Sequence, residues 1–312
     1  MKQGHLTGNL LLLLAALVWG CSFVAQSMGM DHVGPFTFQA TRSLLGAASL
    51  MPIILLQNGH ARRRGESGKL APHTKKALLI GGILCGLVLT VAANLQQVAL
   101  QETGAGKAGF LTTLYILFVP LAGMLLGKRP PLLLWVCIVI AGIGLYLLSV
   151  QEGFIIASAD LMLIACAVVF TVHIMLVDHF SPKVPGVQLS CLQFLVVGLM
   201  SAVPALIMER PQMSDILGAW APIAYAGVMS SGVGYTLQIL GQRRTLPTVA
   251  ALIMSLEAVF ALLAGMLLLG ERLTGREALG CALMFAAILL SQWAQAPRGA
   301  RSEATLPDSP QP

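Results

Sequence analysis

Charge is scarce in this chain. Only 10% of its 312 residues are Asp, Glu, Lys or Arg, where soluble chains carry about a quarter. That shortage excludes an ordinary water-soluble domain, as does the 56% share of apolar residues. Acidic residues are the rarer sign, and the net charge of +6 invites a nucleic-acid reading. The bases, however, fall in short loops between apolar runs and not on one basic face, so no nucleic-acid partner is expected. Metal-ligand spacing is also missing: Cys21, Cys85, Cys137, Cys166, Cys191 and Cys281 lie singly inside apolar runs. They read as small hydrophobes, with no disulfide framework, metal site or cofactor. There is no Gly-x-Ser-x-Gly elbow, phosphate-binding glycine loop or His-Glu-x-x-His pair, and with them goes the expectation of an enzyme.

What the chain has in quantity is long hydrophobic runs. Spans of about twenty residues are drawn at about 8–28, 33–56, 77–98, 104–126, 131–150, 158–177, 187–208, 217–241, 247–269 and 275–295. Each is long enough to cross a hydrocarbon layer of about 30 Å as helix. Helix is the expected form, because lipid offers no partners to an open strand. Lys2 followed by Leu10–Val18 looks like a signal peptide, but the apolar run continues to Met28, so the first helix is expected to be retained. The polar, proline-rich residues 296–312 are expected to be disordered.

Lysine and arginine orient the spans. With a cytoplasmic N-terminus, fourteen lie on the cytoplasmic side and four (Lys107, Arg210, Arg272 and Arg276) on the other, which predicts that both termini are cytoplasmic.

One segment has a twin. Ala250–Leu268 aligns without a gap on Ala108–Leu126, 142 positions upstream, with nine identities in nineteen positions. Thr103/Thr245 and Gln96/Gln238 keep the same offset, and Asn9–Gly20 echoes Asp160–Thr171 more weakly, with Trp19 opposite Phe170. Five spans separate the copies, and an odd number reverses the second copy in the membrane. The predicted fold is an all-α integral membrane protein of ten transmembrane helices in two inverted five-helix repeats, at 8–150 and 158–295. Inverted repeats with polar groups near the midplane are an architecture of secondary transporters.

These residues also resemble a known family. Thr245–Glu271, followed by Leu273-Thr274 and Gly280, looks like the end of an EamA-type unit of the drug/metabolite transporter superfamily, and Leu95–Leu126 like the matching part of a first unit. Arg42 in Gln39-Ala-Thr-Arg-Ser is similar to that family's arginine in helix 2. The first copy departs from the pattern, having Gly127-Lys128-Arg129 where many members keep Gly-Glu. The resemblance implies a ten-helix carrier of small metabolites, often outward, in the cytoplasmic membrane, with a central substrate path.

Candidate site residues are polar groups stranded in apolar spans. Glu257 is the first: a charge at a helix centre costs on the order of 2.5–3.5 kcal/mol, so it should face protein or water. It reads as a substrate- or proton-binding carboxylate in the path, or as a structural carboxylate tied to a neighbour. Arg42 could hold an anionic group through its planar fork, or be the partner of Glu257. Trp19 and Tyr115 lie mid-helix, Tyr115 being the 142-offset counterpart of Glu257. Aromatic faces with a polar tip suit a pocket, although each alone is more simply core packing. Asn94 and Gln97 on the third span, and Tyr235 and Gln238 on the eighth, form a second rank that interhelical hydrogen bonds would also explain. His173 and Asp178 stand five residues apart, about 140° apart around a helix, and read as interfacial polar groups and not a catalytic pair. Pro120 is a candidate bend, beside Pro52, Pro204 and Pro222. Gly82-x-x-x-Gly86 and Gly123-x-x-x-Gly127 are close-packing motifs, within one chain or across a homodimer. The expected partners are a small-molecule substrate and the lipid bilayer. An integral-membrane enzyme or a structural membrane protein is the alternative.

Overall fold

The structure is a computed structural model that describes residues 2–63, 70–103, 105–127, 130–149, 157–269 and 274–295. Residues 296–312, Lys128-Arg129 and the closing Gly270–Arg272 lie outside the described residues. Helices α1 (Lys2–Met30), α2 (Pro35–Arg63) and α3 (Pro72–Ala99) are continuous. Next come α4 (Ala105–Thr113) and α5 (Tyr115–Leu125), halves of one apolar segment, and then α6 (Leu132–Ser149). Two further long helices are α7 (Ser158–Phe180) and α8 (Gly186–Pro204), the latter running into a π-helical turn, Ala205–Glu209. After α9 (Met213–Gly218) and α10 (Trp220–Ala224), the chain forms a ten-residue π-helical segment, Tyr225–Gly234, before α11 (Tyr235–Gln242). A second broken segment, α12 (Pro247–Met254) and α13 (Glu257–Leu269), precedes α14 (Gly275–Gln295). Among the described residues there is no strand.

Seven helical stretches are long and apolar enough to cross a membrane. The remaining three expected spans correspond to the shorter apolar Leu132–Leu147, to the interrupted run α10–α11, and to α14.

Polarity is distributed as lipid requires. Leu10, Leu14 and Leu17 of α1 point outward, as do Leu79, Ile83 and Leu87 of α3, while Gln39, Arg42, Ser43, Gln97 and Gln193 are buried. Apolar side chains face lipid at no cost, whereas polar ones need protein partners. Small residues let the helices approach. A Cβ on Gly82 or Gly86 would come within 2.4 Å or 2.6 Å of Leu192 and Val196, so this Gly-x-x-x-Gly motif packs α3 on α8 inside the chain.

The pairwise packing is reciprocal. α2 lies on α8, α6 on α14, and α4/α5 on α12/α13. α3 packs on α7 and α8, while α11 and the π-helical segment before it pack on α1 and α2. α1 lies against α12 and α13, and α7 against α4 and α5.

A carboxylate also ties α8 to α2. Glu209, ending the π-helical turn, accepts hydrogen bonds from the Phe36 N–H (2.9 Å), the Thr37 N–H (2.7 Å) and the Thr37 hydroxyl (2.6 Å). It thereby caps the free N–H groups at the start of α2 from across the chain.

Candidate functional site

Three interruptions in the helices build the site. Between α4 and α5 the backbone tightens, the Leu114 N–H donating to the Leu111 carbonyl and the Leu117 N–H to the Leu114 carbonyl. Between α12 and α13 it tightens likewise, with Leu256 N–H to Ile253 O at the 142-residue equivalent of the first bond and Ala258 N–H to Ser255 O one residue before the equivalent of the second. These breaks make Tyr115 the first residue of α5 and Glu257 the first residue of α13. The third interruption is the π-helical segment, which presents Ser230 and delivers Tyr235 to the start of α11. π-helical turns recur at functional sites because they re-aim side chains within a helix. The expected bend at Pro120 is displaced: Pro120 continues inside α5, and the chain breaks at Leu114.

The interruptions surround a cavity of about 490 Å³ of atom-free space, open mouth included, which six of the eight candidate residues line. Tyr115 and Glu257 meet there. The Tyr115 hydroxyl donates to Glu257 Oε1 at 3.2 Å, and both side chains are buried. Trp19 stacks at a tilt on Tyr235, centroids 4.7 Å apart, and its indole N–H donates to the Ser230 carbonyl at 3.4 Å. Tyr235 is held from behind by the Phe194 ring at 4.9 Å. Gln238 lines the cavity with its Oε1 unpartnered.

Arg42 is 3% exposed and lines the same cavity, its guanidinium carbon 5.9 Å from the Phe38 ring centroid. Its Nε and Nη1 have no hydrogen-bond partner, and among the described residues no ion pair joins it to Glu257. The neighbour that Glu257 takes is its own counterpart, Tyr115.

Asn94 and Gln97 are placed elsewhere. Asn94 donates to the Ser201 hydroxyl at 2.8 Å, linking α3 to α8, and the Gln97 amide contacts Met30 Sδ at 2.9 Å. His173 corrects an expectation: it is not interfacial but fully buried, bonded to Gln193 at 3.2 Å and edge-on to the Tyr235 ring at 6.0 Å. α8, through Gln193, and α11, through Tyr235, cover that face of α7.

The EamA-like transporter family matches residues 6–150 and, a second time, residues 157–293. The chain belongs to the EamA-like transporter family. This agrees with the drug/metabolite transporter resemblance. An uncharacterized transporter of Archaeoglobus fulgidus is similar to this EamA-like protein at 26% identity over 287 residues, covering 92% of this chain and 86% of the archaeal one. A solved crystal structure at 21% identity superposes with a TM-score of 0.74, over 92% of this chain and 98% of the other, and shares the fold.

Several lining residues of this EamA-like protein escaped the sequence reading: Ser22, Gln26, Gln96, Thr112 and Ser230. Gln96 carries a sequence signal, since it stands 142 positions before Gln238, whereas its neighbour Gln97 does not. Gln96 donates to the Thr112 hydroxyl at 3.2 Å and so faces α4. Ser22 and Gln26 follow Trp19 at helical spacing on α1, bonded to each other with the amide as donor at 3.4 Å. Ser230 had no sequence signal, because a π-helical register shifts the face that each residue presents.

Proposed function

We propose that this protein is a secondary carrier that moves a small metabolite outward across the cytoplasmic membrane by alternating access. Its ten spans form two inverted five-helix units, 8–150 and 158–295, with both termini in the cytoplasm. The substrate path runs through the central cavity, where Glu257, Arg42, Tyr115, Trp19, Tyr235 and Gln238 meet the ligand. Glu257 supplies the acceptor oxygens, Arg42 the cationic N–H donors, and the aromatic rings the apolar surface.

The observation that carries this reading is the Tyr115–Glu257 contact. Two residues 142 positions apart, each opening the second half of a broken helix, touch in the cavity. A two-fold relation between the units brings equivalent residues together only at its axis, and a site on that axis belongs equally to both units. The reciprocal packing of the helices supports the same relation. Broken helices at a repeat interface present backbone ends to a ligand, and rocking of one unit against the other exposes the site to each side in turn.

The test is direct. Purified protein is screened by thermal shift against metabolite pools; a ligand at 100 times its Kd stabilises by about 2.7 kcal/mol. That ligand, radiolabelled, should exchange into proteoliposomes preloaded with it unlabelled. A ligand that stabilises the protein but never exchanges across the bilayer would sink the carrier reading.

A further inference from the structure

The cavity is paired in most of its lining and unpaired in the rest. Both members of Gln96/Gln238, Thr112/Met254 and Tyr115/Glu257 line it, at the 142-residue offset. So do both members of Trp19/Phe170 and Phe23/Ile174, at an offset of 151. The same 151 takes Pro35, which opens α2, to Gly186, which opens α8, so the register carries through the next pair of helices. Ser22, Gln26, Arg42, Ser230 and Tyr235 break the pattern. For two of them, Ser22 and Arg42, the residues 151 positions on are polar as well, His173 and Gln193, and these do not line the cavity.

Those two residues form a polar centre of their own. His173 and Gln193 are both 0% exposed, and the His173 Nε2–H donates to Gln193 Oε1 at 3.2 Å. An amide oxygen can only accept, so in this contact Nε2 carries a proton, and a neutral ring then leaves Nδ1 as an acceptor. Among the described residues Nδ1 has no partner, nor does the Gln193 amide nitrogen, nor the hydroxyl of Ser190 one turn earlier on α8. Three orphaned polar atoms in one buried place are a standing cost to the fold, one that packing alone does not require. Two lining rings lie between this centre and the open cavity: Tyr235, with Trp19 on it at 4.7 Å and His173 at 6.0 Å, and Phe170, 6.5 Å from His173.

We propose that His173 and Gln193, with Ser190, are the second half-site of the substrate path, shut in this structure and uncovered when the carrier opens to the opposite face. The inference rests on the alternating-access reading above: when two inverted units exchange conformations, each residue takes its counterpart's surroundings. His173 and Gln193 then do on one side what Ser22 and Arg42 do on the other. The orphaned atoms select the ligand's chemistry. An amide donor beside an imidazole acceptor complements a hydroxyl or a primary amide. The halves differ in charge, so a group that Arg42 holds as a cation is handed to neutral partners for release.

Cysteine labelling tests this in membrane vesicles of both orientations, with a charged, membrane-impermeant methanethiosulfonate as the probe and peptide mass mapping to separate new adducts from the six native thiols. Ser22→Cys should label from one face only, and Gln193→Cys from the opposite face only. Ser190→Cys, nearly isosteric, serves as a second reporter should Gln193→Cys fail to insert. The adduct accumulates, so an open form populated at about one part in a hundred still labels, about a hundredfold more slowly. A bulky adduct at Ser22→Cys should suppress labelling of the second half-site. If neither Gln193→Cys nor Ser190→Cys labels from any face in protein that still exchanges its ligand, the inference is overturned and the carrier reading stands. If both half-sites label from one face together, the path is a continuous pore, and the inference falls along with alternating access.

Discussion

Glu257 and Tyr115 share one hydrogen bond of 3.2 Å in a buried setting, and the two ends contribute unequally. Tyr115→Phe removes a neutral donor, and bonds of this kind inside membranes average about 0.6 kcal/mol, so a small loss of thermal stability and intact ligand binding are expected. Glu257→Gln keeps the shape and an acceptor for Tyr115 but removes the charge. Hydrogen bonds to charged groups contribute about 1.5–3 kcal/mol, so ligand affinity should fall at least about tenfold in a thermal-shift titration. The unliganded melting temperature should not fall, because a charge is taken out of an apolar setting. Unchanged affinity in Glu257→Gln would make the carboxylate a structural tie. Two nitrogens of the Arg42 guanidinium, Nε and Nη1, have no partner among the described residues, and no ion pair joins it to Glu257 there.

Helices pass or break here according to how closely backbones approach. Gly20, beside Trp19 on α1, lies where a Cβ would stand 2.5 Å from Phe260 Cβ, 2.7 Å from Ala261 N and 2.8 Å from the Glu257 carbonyl oxygen. Two of those three atoms are backbone of α13 and cannot move aside alone. Gly20→Ala should therefore destabilise by about 1–3 kcal/mol, as overpacking does. Gly142 on α6 has no described residue within 4 Å of the same position, so Gly142→Ala should be neutral or stabilising by up to about 1 kcal/mol from helix propensity. Detergent-solubilised melting curves of the two variants decide it; equal shifts would contradict the close α1–α13 approach. Pro204 and Pro222 each precede a π-helical segment, so two of the intramembrane prolines accompany the irregular backbone beside α2.

Across the whole molecule, the larger helix contacts of one half have counterparts in the other, and Tyr115 meets its own equivalent, Glu257. The proposed orientation follows from fourteen cytoplasmic bases against four, and it predicts that a C-terminal epitope tag resists protease in intact spheroplasts and is cleaved in inverted vesicles. Cleavage in intact spheroplasts would reverse the topology. Together with the half-site labelling, this experiment also assigns each half of the path to a side of the membrane.

Composition alone determined that the chain is a membrane protein, because 10% charge cannot solvate a chain of this length. Hydrophobic run length made it helical, and the 142-residue offset between Tyr115 and Glu257 already marked the pair that touches, since a repeated sequence repeats its backbone. The same offset marked Gln96 through Gln238. Tertiary structure alone decided the rest. Which face Gln96 and Gln97 present depends on helix rotation, and apolar helices in lipid carry little amphipathic signal from which to read it. Ser230 depends on a π-helical register invisible in periodicity. The break falls at Leu114 and not at Pro120 six residues on, where α4/α5 and α12/α13 pack on each other. That Arg42 and Glu257 line one cavity unpaired, while His173 and Gln193 lie behind Tyr235 and Phe170, is a matter of lateral position, which no linear spacing encodes.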